Sequence, residues 1–379
     1  MGIPSLLEPW LARRDRLLSS AGFQAAVLRI PLLRRIAQRR ASQLFDLCAG
    51  FVYSQVLFAC VRLGLFELLR RGPRPVSELA QSARIPPEAM LPLVQAAVAL
   101  RLLQWRGSPG CCGLGVHGAA LLGNPGLSPL IEHHSLLYAD LQDPPALLRS
   151  VPPAGQLQHY WAYASATAAA AVTSRQAAPY STLMGVSQAL VAQMILEAYP
   201  LARHRSLLDV GGGDGTFASL AARRAPGLQV RCFDVPAVAA LAEARFAAEK
   251  LGARARAIAG DFHNDRLPSG ADLISLIRVL HDHGDAQVVR LLRSVHAALP
   301  ADGTLLIAEP MAGTPGGARV AEAYFGIYLL AMGSGKPRSP AQLSQLLERA
   351  GFTRVRLHET GLPMFVRVMT ARRDAATSM

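Results

Sequence analysis

Lysine is nearly absent from this 379-residue chain. Lys250 and Lys336 stand against 37 arginines, and Ala, Gly and Pro are also abundant. Part of the +13 net charge is therefore compositional bias and not by itself a nucleic-acid footprint. Cysteine is scarce too: Cys48, Cys60, Cys111, Cys112 and Cys232 are odd in number and form no CxxC pair. That excludes a disulfide framework and a zinc knuckle, and it fits a reducing cytoplasm. There is no GxSxG elbow, so serine hydrolase chemistry has no support. There is no phosphate-binding GxxxxGK[ST] either, because "GSGKP" lacks the first glycine and runs into Pro337. The N-terminus lacks the uninterrupted apolar core of a signal peptide. The longest apolar stretch, Leu44 to Val61, is interrupted by Asp46, Ser54 and Gln55, and it reads as a buried or interface helix and not as a membrane span.

What charge there is gathers at the start. Residues 1–40 carry eight arginines against Glu8 and Asp15, with Trp10, Leu17, Leu18, Phe23, Leu32 and Leu33 between them. A basic amphipathic arm of this kind suits a membrane surface or an acidic partner, and equally a solvated helix. From 41 to 126 short helical patterns lead into a Gly-rich ribbon, the signature of a winged helix. Such modules often read DNA. Here the stretch in the recognition-helix position, "PPEAMLPLVQAAVAL", has no Lys, Arg or Asn and a single Gln, so a packing module is expected and no nucleic acid. Residues 127–200 read as a helical connector.

From 201 to 379 strand-like and helix-like runs alternate: "SLLDV", "LQVRCFDV", "ARAIAGDF", "ADLISLIRVL" and "GTLLIAEPM" are strands with helices between. Alternation of this kind predicts an α/β fold, a Rossmann-like doubly wound sheet covered on both faces. "FTRVRLHET" and "MFVRVMTARR" follow with only a short turn between them and are expected to pair antiparallel.

The bend in "LLDVGGGDGTFASL" joins the first of these strands to a helix. Thr216 stands where a dinucleotide GxGxxG needs its last glycine; what fits is DxGxGxG, on Asp209, Gly211, Gly213 and Gly215. Glycines let backbone approach an adenosyl ligand, and an acid at Asp209 suits a cationic amino group. Asp234 ends the next strand, where a carboxylate accepts from ribose hydroxyls, and Asp261 with Phe262 ends the third, beside an adenine. S-adenosylmethionine is the cofactor these positions predict, with Arg278 a further candidate contact.

"IRVLHDHGD" follows the fourth strand, at the crevice of the sheet. Methyl transfer needs an aligned acceptor and removal of its proton, and His281 is the expected general base. Glu309, ending the fifth strand, is expected to hold the other ring nitrogen, while Asp282 and Asp285 read as first-turn acids of the next helix. "HDH" with His263 has no carboxylate cluster to complete a coordination shell, so no metal is expected.

Taken together, DVGGGDG, FDVP, GDF, VLHDHGD and LLIAEPM resemble the class I O-methyltransferases of the plant caffeate and bacterial small-molecule type, over roughly residues 40–370. The resemblance implies a homodimer whose front half closes the partner's pocket, and it sets Tyr180 and Met184 of "PYSTLM" beside the methyl donor. His283 departs from the family's tryptophan, and Pro337 stands where the family's second glutamate is expected. "FDLCAGFVYSQVLFACVRL", "PYSTLMGVSQALVAQ" and "AYFGIYLLAMGSGKPRS" are similar to the carotenoid branch, the hydroxyneurosporene (demethylspheroidene) O-methyltransferases of purple bacteria. This likeness implies a tertiary hydroxyl of a linear carotenoid as acceptor, and an arm at the inner or photosynthetic membrane. Tyr324, Phe325, Tyr328, Leu329 and Met332 recur at helical spacing as substrate-facing candidates, with the small residues of "WAYASATAAAA" as a slot wall. A phenol or polyketide O-methyltransferase, a C-methyltransferase of a bacteriochlorophyll-type tetrapyrrole, and a winged-helix regulator that senses the cofactor remain as alternatives.

Overall fold

The computed structural model describes residues 7–124, 126–150, 155–160 and 188–374. The chain divides into two compact units, Met1–Asn124 and Pro125–Met379.

The first unit begins with three consecutive helices, α1 (Glu8–Leu18), α2 (Ala21–Arg29) and α3 (Pro31–Arg62). Ser20 caps α2 by accepting from the Phe23 amide, and Pro31 opens α3, where a missing N–H costs nothing. Next come α4 (Leu65–Leu68), β1 (Arg74–Pro75), α5 (Val76–Ala83), α6 (Pro87–Ala99), β2 (Leu103–Trp105), β3 (Cys111–Leu114) and α7 (Val116–Leu122). The three strands form an antiparallel sheet in the order β1-β3-β2, the wing expected from the Gly-rich ribbon. Leu65, Leu79, Met90, Val94 and Leu103 are buried around it. Of the two roles expected for the apolar part of α3, buried or interface, the first does not hold. Within the chain it is not a core element: Cys60 is its one buried residue, and Leu44, Phe45, Leu47 and Phe51 face outward. By length and composition alone α3 is long and apolar enough to cross a membrane.

The second unit opens with α8 (Leu127–Asp140), α9 (Pro144–Arg149) and α10 (Gln156–Tyr160), followed by a helix over 188–198, here α11. The Rossmann-like part then runs β4 (Ser206–Val210), α12 (Thr216–Arg224), β5 (Gln229–Asp234), α13 (Pro236–Ala248), β6 (Ala255–Ala259), β7 (Leu273–Ile277), α14 (Asp285–Ala298) and β8 (Thr304–Glu309). A π-helical stretch Arg319–Phe325 leads into α15 (Gly326–Met332), and α16 (Pro340–Arg349), β9 (Thr353–His358) and β10 (Arg367–Arg372) close the chain.

The sheet order is β6-β5-β4-β7-β8-β10-β9. All pairings are parallel except those of β10, which runs antiparallel to both neighbours. Strands β7 and β8 are buried at every position, as strands covered on both faces must be, and so read as continuous apolar runs. Alternate residues feed opposite layers. Leu208, Val210, Ile274, Leu276, Leu305 and Ile307 pack towards α14 and α16, while Leu207, Val230, Cys232, Leu273 and Leu306 pack towards α11, α12 and α13. The chain leaves β4 in one direction and β7 in the other, so the crevice at their carboxyl ends is the topological switch point, where open α/β sheets bind ligands.

Candidate active site

The loop leaving β4 is built for close approach. Gly211, Gly213 and Gly215 have φ of +67°, +61° and +76°, the left-handed region that a side chain resists. Two of these glycines answer packing needs. A Cβ on Gly215 would lie 2.9 Å from the Phe246 ring of α13, and one on Gly211 would lie 2.8 Å from Val279 Cγ2. Gly213 differs, because nothing stands within 4 Å of where its Cβ would be. Its side faces open space at the switch point, the cradle an adenosyl ligand needs.

The acids at the strand ends play different parts. Asp234 steadies the loop, Oδ2 accepting from the Gly213 amide at 2.9 Å and Oδ1 from Val235 at 2.8 Å. Burial pushes its carboxyl up to about 6, those two amides opposing. It remains partly exposed at the end of β5, where a ribose diol would be met. Asp261 is buried and accepts from the His263 amide at 2.9 Å and Asn264 Nδ2 at 2.7 Å, which fixes the turn carrying the partly exposed Phe262. Phe262 lies 3.7 Å from the Gly211 Cβ direction and edge-on to His283, ring centres 5.6 Å apart. An open glycine, a carboxylate able to accept from two hydroxyls and an aromatic face make a donor set that fits an adenosyl group.

Asp209 requires a correction. Its side chain points into the layer beneath the loop, where Oδ1 accepts from Ser275 Oγ at 2.6 Å and Oδ2 sits 2.6 Å from the Gly212 Cβ direction. With its surface enclosed, the carboxyl buttresses the loop from below and does not face the crevice. Burial pushes it up to about 7, Ser275 opposing and the charge of Asp234 adding.

His281 lies on a 3₁₀ turn, Leu280–Asp282, just past β7, and is buried. Its ring is stacked on Phe325 with centres 5.8 Å apart. The ring partner differs from expectation. Asp282 Oδ1 lies 3.1 Å from His281 Nε2, whereas Glu309 Oε2 accepts from the His281 main-chain amide at 3.1 Å. Glu309 therefore positions the turn, and Asp282 holds the ring. Because Asp282 belongs to the turn, its reading as a first-turn acid of α14 is also corrected, while Asp285 is indeed the first residue of that helix. Burial works to lower the imidazole, but the charge and hydrogen bond of Asp282, with the charge of Glu309, outweigh it and leave His281 above its ordinary value. Burial raises Glu309 in turn, and among the described residues its Oε1 has no hydrogen-bond partner. Arg278, in the left-handed region at φ +56°, donates its amide to Ala308 O at 2.8 Å, and its charge bears on both His281 and Tyr324.

Beside this turn the aromatic candidates pair with two histidines that the sequence reading passed over. Tyr328 and His133 Nε2 are 2.6 Å apart, and Tyr324 and His134 Nε2 are 2.7 Å apart. Burial, with the neighbouring His134, lowers His133 to about 4, so the ring stays neutral. Their signal was the doublet in "LIEHHSLL", two adjacent histidines between apolar residues of one helix. Tyr180 and Met184 lie outside the described residues.

A second oversight is the strap formed by 333–339. Arg338 is wholly buried and donates to Leu280 O at 2.7 Å, His283 O at 2.6 Å and Asp285 Oδ1 at 2.8 Å. The Lys336 amide donates to His281 O at 2.9 Å, and Ser334 Oγ to Asp282 O at 2.8 Å. Together these bonds tie the strap to the turn that carries His281 and to the start of α14.

Comparison with known proteins bears directly on this site. The model of the O-methyltransferase domain matches residues 154–353, and that of the O-methyltransferase dimerisation domain matches residues 45–114. The chain belongs to the S-adenosylmethionine-dependent O-methyltransferase family. It is 41% identical to the demethylspheroidene O-methyltransferase of Cereibacter sphaeroides, over 95% of this chain and 94% of that one. It is 38% identical to the enzyme of the same name from Rhodobacter capsulatus, over 91% and 85%. In fold it is similar to human N-acetylserotonin methyltransferase, solved in complex with SAM, with a TM-score of 0.75 at 24% identity, covering 89% of this chain and 98% of that one. For this methyltransferase the outward face of α3 falls largely within the dimerisation match, which supports a homodimer and gives an apolar helix unburied in one chain a covered role.

Proposed function

We propose that this methyltransferase methylates the tertiary hydroxyl of a linear hydroxycarotenoid, with His281 as general base. The observation that carries the acceptor is 41% identity, over nearly the whole length of both chains, to a demethylspheroidene O-methyltransferase. The aromatic wall of Tyr324, Phe325 and Tyr328 beside His281 offers an apolar surface suited to a polyene.

S-adenosylmethionine, when bound, would supply a methyl group on a positively charged sulfur, which keeps the electron pair of the broken carbon–sulfur bond and leaves as a neutral thioether. Gly211, Gly213, Asp234, Asp261 and Phe262 would hold its adenosyl part, with Asp209 supporting the loop from beneath. A tertiary alcohol is far less acidic than a phenol, whose ordinary value is near 10, so His281 does not deprotonate it beforehand. The imidazole instead takes the proton as the new carbon–oxygen bond forms. Asp282 and Glu309 then stabilise the imidazolium, and alignment supplies much of the acceleration.

The test is transfer of labelled methyl from S-adenosylmethionine by the purified enzyme to a hydroxylated linear carotenoid and, separately, to simple phenols. Label in the carotenoid and not in the phenols is the expected outcome; label in phenols alone would overturn the acceptor. His281→Ala is expected to lower turnover about a hundred- to ten-thousand-fold, the range for losing a general base, with donor binding retained in calorimetry.

A further inference from the structure

The dimerisation match begins at residue 45 and leaves α1, α2 and the first turns of α3 outside it. From Leu7 to Arg40 no residue is buried. Trp10 and Leu32 are 63% and 73% exposed, and Leu17, Leu18, Phe23, Leu28 and Ile36 are exposed with them. The same stretch carries Arg13, Arg14, Arg16, Arg29, Arg34, Arg35, Arg39 and Arg40 against Glu8 and Asp15, and one of these, Arg14, is engaged with Asp15 at 2.7 Å. On α3 the helical period sets Leu32, Leu33 and Ile36 on one side, with Arg35 and Arg39 along its border and Arg34 on the far side; Arg40 falls among the apolar residues, where a long stem can lie flat and lift its charge outward.

We infer that residues 7–40 form a docking surface for an anionic phospholipid bilayer. Charge decides between the occupants such a face could have. Packing the arm on its own copy about a two-fold axis would bring arginines against arginines, and like charges facing each other oppose association. An anionic bilayer presents the opposite charge to the arginines and an acyl layer to Trp10, Phe23 and the leucines. An amphipathic segment with aromatic and aliphatic side chains and a basic border lies in that interface. The inference stands on the arm alone and does not depend on which acceptor the enzyme methylates.

The full-length protein is mixed with vesicles of phosphatidylcholine, with and without phosphatidylglycerol, and sedimented. Binding to the phosphatidylglycerol vesicles but not to pure phosphatidylcholine is expected, weakening at least ten-fold as salt rises from about 0.1 to 0.5 M and screening shortens. The triple variant Arg34→Gln, Arg35→Gln, Arg39→Gln should bind roughly a hundred-fold more weakly, the fold-change that about 1 kcal/mol per arginine at an anionic surface gives, with its mass in solution unchanged. Equal binding to both vesicles, or to neither, overturns the inference. So does a triple variant that falls to a smaller mass, which would assign this face to a second copy. The lipid-charge and salt series on the unaltered chain decides the matter even where the variant fails to fold.

Discussion

At the residue scale, the charge on His281 is set by the acid next to it. Asp282 and Glu309 hold the imidazole above its ordinary value of about 6.5, so at neutral pH a larger share is protonated and unable to accept a proton. Methyl transfer should therefore rise with pH through a value above the ordinary imidazole one. Asp282→Asn removes the charge and the charged partner at 3.1 Å, so the ascending limb of the pH–rate profile should move to lower pH, as a series of initial rates under saturating donor would show. An unmoved limb would mean that another group controls the step. Asp209 makes a second residue-level case. Its carboxyl is pushed up to about 7, so between the ordinary carboxylate value of about 3.9 and that point the folded chain keeps a proton the unfolded chain has shed. Its contribution to stability is full below the lower value and is lost as pH rises through the upper one. Asp209→Asn, which stays neutral throughout, should flatten the fall in stability over that window in denaturant titrations.

At the scale of elements, what was legible in the sequence was what local pattern controls. Gly213, Asp234 and Asp261 each lie at or just past the end of a strand-like run in a series of alternating strands and helices, so their places at the sheet's carboxyl edge followed from strand order. Contacts distant in sequence left no such trace. Arg338 reaches the His281 turn across 58 residues, and nothing in "GSGKPRS" shows that a buried guanidinium will satisfy two carbonyls there. Nor does "HDHGD" show that a short 3₁₀ turn delays α14 and gives Asp282 to the histidine. The strap's dependence on its backbone yields a further test. Gly335 has φ +83°, and a Cβ there would lie 2.1 Å from His281 O, so no small shift makes room. Gly335→Ala should displace the turn, lowering turnover more than donor affinity. Arg338→Ala leaves the Leu280 and His283 carbonyls without their donor, at about 1–3 kcal/mol each, and should lower the unfolding midpoint.

At the scale of the whole molecule, the exposed apolar surface has two parts with different chemistry. Upstream of residue 41 arginines interrupt it; from Leu44 to Val52 it is nearly uncharged, with Leu47 and Phe51 at 76% and 72% exposure and Asp46 its lone charge. A water-facing patch of that kind is costly to leave uncovered, and it coincides with the family's dimerisation domain. Apolar residues at the centre of an interface carry most of its energy, and a carboxylate placed there must be buried unpaired or keep the surfaces apart. Leu47→Glu combined with Phe51→Glu should therefore reduce the particle from twice the chain mass to the single-chain 40.4 kDa in light scattering, with helical circular dichroism retained because neither side chain packs within its own chain. The same double variant should still bind anionic vesicles through its unaltered arm. Loss of both properties together would mean that the two faces are one surface.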